Sequence, residues 1–337
     1  MKKSIALAIL ASFAGAASAQ SSVTVYGLLD AGITSEIGGA AGSIVKLATG
    51  VQSGNRLGFK GTEDLGNGLK ANFQIENGFN ADTGTARQGG ALFGRQAYVG
   101  LSGNFGAVNL GRQYDPLFVA LDTIDPFGTG LTGASTNLMS AGNVRTNNAI
   151  KYTSKNLSGF TADVLYGAGE SANGASVGRT IGFSGTYANG PVLATVAYDK
   201  VNANVAVAQP ELKLVLVGAT YNFGVAMAHA AYETEKGNGN DFRDYMLGVS
   251  VPVGAAGSLM ASYINKDDRT TNQKGGKQLA IGYTYALSKR TNAYTSYGHI
   301  KNDAAGTNFV GDASSGGSAP LAGKNSGALT VGIRHKF

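Results

Sequence analysis

Beyond its first twenty residues the chain alternates with a period of two, and this restricts its possible folds more than any other feature. "VTVYGLLDAGI" sets Val23, Val25, Leu29 and Ile33 on one parity. In "LKANFQIENGF", Leu69, Ala71, Phe73 and Ile75 alternate with Lys70, Asn72, Gln74 and Glu76. "RTIGFSGTY" aligns Ile181, Phe183 and Tyr187, and "KQLAIGYTYALS" aligns Leu279, Ile281, Tyr283 and Tyr285. The chain stops in mid-pattern on "ALTVGIRHKF", where Leu329, Val331, Ile333 and Phe337 oppose Thr330, Gly332, Arg334 and Lys336. Such alternation marks strands with one apolar and one polar face, and helical spacing is absent from it. The fold class is all-β.

The connections fall into two kinds. Short ones are "EDLGNGL", "SGNFGA", "SKNLSGF", "ANGPV", "YNFGV", "PVGAAGS" and "LSKRTN". Between them lie longer stretches rich in Gly, Asn, Ser and Asp, at 35–51, 80–91, 113–143, 168–178, 201–210, 236–241, 266–276 and 302–325. Short and long alternate strictly, giving seven turns, eight loops and sixteen strands. A water-soluble sandwich has no reason to sort its connections by rim, whereas a sheet crossing an outer membrane does. Strands of about 9–11 residues suit a tilted crossing of the apolar layer. In hydrocarbon every backbone N–H and C=O needs a partner, so the sheet must close into a barrel. The last strand, 327–337, therefore pairs with the first, near 23–33. A barrel of about sixteen strands is too wide for side chains to fill, so its lumen holds water.

Composition agrees. Charged residues are 14% of the chain, against about a quarter in soluble domains. The 15 Tyr and 14 Phe, with no Trp, fall often near strand ends, as aromatic girdles do. "MKKSIALAILASFAGAASAQ" reads as a signal peptide: Lys2 and Lys3, an apolar run from Ile5 to Phe13, and Ala17-Ser18-Ala19 for cleavage. Residues 1–19 are expected to be removed, leaving a single barrel domain over 20–337 in the outer membrane. Losing two lysines takes Lys+Arg from 27 to 25 against 21 acids, too small a surplus for a nucleic-acid surface. The chain has no cysteine, so disulfides contribute nothing.

Loops beyond about 12–15 residues are usually functional or disordered. The longest here, 113–143, carries Asp115, Asp122 and Asp125, and its apolar "LFVAL" suits packing against an inner wall. Parity supplies a basic wall opposite. If Leu57 and Phe59 face lipid, Arg56 and Lys60 face the lumen. If Tyr98 does, Arg95 faces in; if Ile150 and Tyr152 do, so does Arg145. Arg112, at the root of the loop, is a further candidate. Cations on one side and carboxylates on the other set a transverse field across a wet gap, and charged rings bias ion choice by ordinary electrostatics.

The blocks "SSVTVYGLLDAG", "NRLGFKGTEDLGNGLKANFQIENGF", "GRQAYVGLSGNFGAVNLGRQYDP", "YTYALSKRTNAY" and "VGIRHKF" cover the mature chain end to end. They resemble the Gram-negative general porins of β-proteobacteria. The resemblance implies a sixteen-stranded homotrimeric outer-membrane channel, set among lipid and lipopolysaccharide, with its third loop folded into the lumen. It matches Arg56, Arg95 and Arg145 to an arginine ladder and "DPFG" to a constriction element. It implies that Phe337 belongs to the signal read by the outer-membrane assembly machinery. One position departs from the pattern: after "VYG", where some relatives place a lumen lysine, this chain has Leu28. The expected function is passive diffusion of ions and small hydrophilic solutes, with mild anion preference. A substrate-selective channel on the same barrel is the alternative.

Other chemistries find little support. His229, His299 and His335 sit in three separate strands without metal-ligand spacing, so no metal or cofactor is expected. His299 beside Asp303 is the best catalytic-looking pair, and an interfacial strand end explains it better than an enzyme does. No catalytic residue and no nucleic-acid partner are expected.

Overall fold

The structure is a computed structural model and describes residues 22–204, 210–311 and 317–337. The expected signal segment lies outside the described residues. Among the described residues the alternating segments form β1 (Ser22–Ile37), β2 (Ile44–Thr49), β3 (Arg56–Gly66), β4 (Leu69–Gly78), β5 (Gln96–Gly103) and β6 (Gly106–Tyr114). A helix, α1 (Pro116–Ile124), precedes β7 (Arg145–Thr153), β8 (Phe160–Gly167), β9 (Thr180–Asn189), β10 (Val192–Val201) and β11 (Leu212–Asn222). The remainder is β12 (Met227–Gly237), β13 (Asn240–Val253), β14 (Gly257–Asp268), β15 (Gly276–Ala286), β16 (Thr291–Asn302) and β17 (Ser326–Lys336).

All the strands belong to one antiparallel sheet. β2 and β3 lie end to end against the same edge of β1: Ser22–Leu28 pairs with β3, and Ala31–Glu36 with β2. They form one stave interrupted at 50–55, so the seventeen strands make sixteen staves, the number the connections predict. β17 pairs with β1 from Leu28↔Lys336 to Ile37↔Gly327. Phe337 then exchanges both backbone hydrogen bonds with Gly27, at 3.0 and 3.1 Å. The sheet is thereby shut, and no row of N–H and C=O groups is left for lipid to desolvate.

The outer face carries the apolar parity. Val23, Leu29, Ile33, Leu110, Ile150, Leu279 and Val331 are exposed all around the wall, an area far beyond the few hundred Å² a soluble monomer tolerates. Phe59 and Tyr283 share this outward parity. The lumen face carries Asp30, Thr34, Glu76, Ser184 and Thr330.

Two connections differ from the sequence expectation. The stretch 236–241 is a two-residue hairpin: Gly237 pairs with Asn240, and Asn238 and Gly239 hold φ of 50° and 77°. Asn-Gly adopts that left-handed pair readily, so a polar stretch that looked like a loop is a tight turn. The stretch 35–51 contains β2 and continues the wall before its chain turns inward.

The long third loop begins with α1, which the period-two reading did not contain. Asp115 caps it, accepting the Leu117 N–H, and Pro116 takes the first turn, where no amide is required. Leu117, Ala120, Leu121 and Ile124 then fall on one helical stripe and are buried against inward residues Ala197, Leu214, Leu216 and Met246. The barrel thus has a hydrophobic core inside its lumen, between loop and wall. The end of the helix and the loop after it press on wall glycines. A Cβ at Gly218 would stand 2.3 Å from Ile124, at Gly248 2.7 Å from Pro126, and at Gly298 2.2 Å from the Thr132 carbonyl. These glycines let backbone and loop approach.

Candidate functional site

Two inward segments narrow the lumen. One is the third loop. The other is 50–55, the break between β2 and β3. There Ser53 N–H donates to Asp30 Oδ2 at 2.6 Å, Tyr294 O–H to Asp30 Oδ1 at 2.5 Å, and Asp30 N–H to Asn55 Oδ1 at 2.6 Å. The segments meet where Leu131 N–H donates to the Val51 carbonyl at 2.6 Å. Between them is a cavity of about 560 Å³, bounded by Arg56, Arg95 and Arg145 on the wall and by Phe118, Asp122 and Thr129 on the loop.

The basic side is organised by a side chain that parity did not single out. Tyr114 Oη accepts from Arg95 Nη2 at 2.5 Å and from Arg145 Nη2 at 2.7 Å. Its ring lies 4.4 Å under the Arg145 guanidinium and stacks on Phe118 at 5.3 Å. Arg95 also pairs with Glu76 at 2.6 Å. Glu76 Oε2 accepts from Tyr26, whose Oη accepts from Gln74, whose Oε1 accepts from Tyr98. Arg56 donates to the Gly54 carbonyl at 3.0 Å, which turns it across the break. Three guanidiniums are thus fixed by neutral or shared partners, each spending only part of its donors on them.

The three aspartates take different positions. Asp122 alone lies on the cavity, where it accepts from Thr129 Oγ1. Asp115 is fully buried as the cap of α1 and also accepts from Thr146 at 3.2 Å. Burial pushes its carboxyl up to about 6, against the pull of the Leu117 and Thr146 hydrogen bonds and of Lys151. Asp125 staples the loop, accepting from the amides of Phe127, Thr129 and Ser135 at 2.9, 3.0 and 2.7 Å; burial raises its carboxyl too.

The other basic candidates stand apart from this cavity. Lys60 lines a separate opening near the turn rim, 5.3 Å over the Tyr26 ring. Arg112 donates to the Gly94 carbonyl at 2.7 Å and to Asn147 Oδ1 at 2.6 Å. Leu28 faces inward and is buried, paired across the sheet with Arg56. Contrary to the parity expectation, Tyr98 points into the lumen, and Val99 and Leu101 are exposed outside. Arg95 precedes β5, so strand alternation does not govern it; its guanidinium reaches the cavity from the end of the loop. His229 is held between the Ile124 carbonyl and Ser250, tying the end of α1 to the wall. Among the described residues no group of three or more His, Cys, Asp or Glu could hold a metal.

Comparison with known proteins places this geometry. The family model for Gram-negative porins matches residues 6–305. This chain belongs to the Gram-negative porin family. An outer membrane porin protein of Bordetella pertussis is 35% identical over 403 residues, and outer membrane porin protein 32 of Delftia acidovorans is 37% identical over 360, each alignment covering 100% of both chains. Among solved structures, an anion-selective porin from Comamonas acidovorans superposes with a TM-score of 0.83 at 34% identity, covering 94% of this chain and 100% of that one. OmpT of Vibrio cholerae, at 15% identity and TM-score 0.69, shares the fold.

The protein is accordingly an outer-membrane porin, a water-filled passage through which ions and small hydrophilic solutes diffuse. Its relatives are channels, and the constriction requires no chemistry. A porin excludes by width and by field: polar solutes orient in the gap, and apolar ones must strip ordered water.

Proposed function

We propose that this porin prefers small anions and that Arg56, Arg95 and Arg145 set the preference against Asp122. The observation that carries this reading is the imbalance of charge around the cavity. Three guanidiniums meet one pore-facing carboxylate, and Glu76 is engaged behind Arg95. The two other loop acids bind backbone amides, so they contribute little to the field in the gap. The similar porin of Comamonas acidovorans is anion-selective, in keeping with this. In a KCl gradient across a planar bilayer, the reversal potential should lie on the chloride side. Arg56→Glu with Arg95→Glu should move it towards potassium, and an unchanged ratio would show that these arginines do not govern passage. A substrate-selective channel on the same barrel is the weaker reading.

The assembly is proposed to be a homotrimer, as one solved OmpT form is. Conductance steps in threes, and a heat-labile species of three times the monomer mass, would support it. Phe337 is proposed to contact the outer-membrane assembly machinery, and the outer rim to contact lipid and lipopolysaccharide.

A further inference from the structure

The lumen carries a second group of cations, on the periplasmic side of the constriction, that the selectivity argument does not use. Arg334 and Lys336 stand on the inward parity of β17, and Lys289 and Arg290 sit in the turn between β15 and β16. Together with Thr284 and Asn292 they line a cavity of about 220 Å³, room for roughly seven waters. Gln52 borders both this cavity and the constriction, so the two adjoin.

This is an arranged site. Arg334 donates Nε–H to Asn292 Oδ1 at 3.1 Å and Nη1–H to Ser53 Oγ at 2.8 Å, while Asn292 donates to Gln52 Oε1 at 2.8 Å. The guanidinium is therefore fixed by neutral acceptors, with further N–H donors unused. Among the described residues no carboxylate lies within ion-pair distance of any of the four cations. Asp30, on the same wall, commits its oxygens to Tyr294 and Ser53. Four cations gathered at one opening, none of them in an ion pair, favour a polyvalent anionic guest.

We propose that this cavity binds a small polyvalent oxyanion, a phosphate or a short tricarboxylate, as a waiting site on the periplasmic side of the constriction. The inference rests on the channel being open to solutes, and does not depend on which residues set its chloride preference. Arg334 would grip the guest, and the flexible Lys336, Lys289 and Arg290 would close over it. A guest held there obstructs the path of chloride, so occupancy reads out as block.

The test uses single channels in KCl, with inorganic phosphate or citrate added to one chamber at a time. Block should set in at lower concentration from the turn side than from the loop side. Arg290→Gln with Lys336→Gln should raise the half-blocking concentration about tenfold, the loss of roughly one charge-assisted contact. Their backbone contacts are kept: Lys336 pairs with Leu28 and its N–H donates to the Arg290 carbonyl, bonds that side-chain exchange retains. If Arg334→Gln does not fold, this pair still decides the matter. Block by both probes supports a general oxyanion site, and block by one assigns that chemistry. Unchanged half-block in the double variant, or block that is equal from both sides and lost only with Arg56→Gln, overturns the proposal. The reversal potential of the Arg56→Glu, Arg95→Glu channel tests the constriction separately, so either reading can fail alone.

Discussion

Aspartates in the long third loop divide into an electrical group and two structural groups, and burial decides which is which. Asp125 accepts from three amides. Asp125→Ala would orphan them at about 1–3 kcal/mol each if they stayed dry, so the loop should loosen instead. The expected result is a channel with larger, noisier conductance and unchanged strand content by circular dichroism; quiet wild-type conductance would show that the staple is dispensable. Asp115 makes a pH prediction. Its carboxyl titrates near 6, above the ordinary 3.8, so the folded state binds its proton more tightly than the unfolded state does. That stabilisation is complete below about pH 4 and is lost as pH rises through 6. Asp115→Asn keeps an acceptor for the Leu117 amide and removes the charge. Its melting temperature should match wild type near pH 4 and exceed it at pH 8, by at most about 3 kcal/mol of stability. Parallel pH profiles for the two proteins would refute the assignment.

Among the elements, the staves were legible because burial in two different solvents imposes a period of two that local sequence states directly. Sixteen crossings and the pairing of the two ends follow from it. The features that escaped are those where a residue answers to something besides its strand. α1 hides its 117/120/121/124 stripe within a loop rich in Gly and Thr. Tyr98 is an aromatic on the wet face because Gln74 and Tyr26 receive it there. The run "LKLVLVGATY" is apolar on both parities because its inner face lies under α1 and its outer face in lipid. Arg56, Arg95 and Arg145 were legible as candidates, whereas Tyr114, which draws two of them together, was visible only in three dimensions. The glycine contacts under the loop give this scale its prediction. Gly298→Ala would place a Cβ 2.2 Å from the Thr132 carbonyl, backbone against backbone. The loop must lift, so the variant should fold with a lowered melting temperature and pass larger neutral solutes in a liposome-swelling assay. Unaltered size exclusion would mean that the contact does not position the loop.

At the scale of the whole barrel, closure depends on two chain ends that would fray in a soluble protein. Ten residue pairs zip β1 to β17, and Phe337 adds two backbone hydrogen bonds at Gly27. Its ring sits where a Cβ on Gly27 would be, within 2.5 Å of that point, so glycine there makes room for the aromatic. The ring is nevertheless 49% exposed on the outer rim, and so it is available to another protein before lipid covers it. These two roles separate by experiment. Deleting Phe337 removes hydrogen bonds worth about 1 kcal/mol each, a minor part of the seam. Denatured protein lacking Phe337 should therefore still refold in detergent into a heat-modifiable barrel, with a slightly lower melting temperature. In cells the same deletion should sharply reduce the amount reaching the outer membrane, the result expected of the proposed contact between that ring and the assembly machinery. Failure to refold in detergent would make Phe337 a closure residue first, and normal assembly in cells would remove its role as a signal.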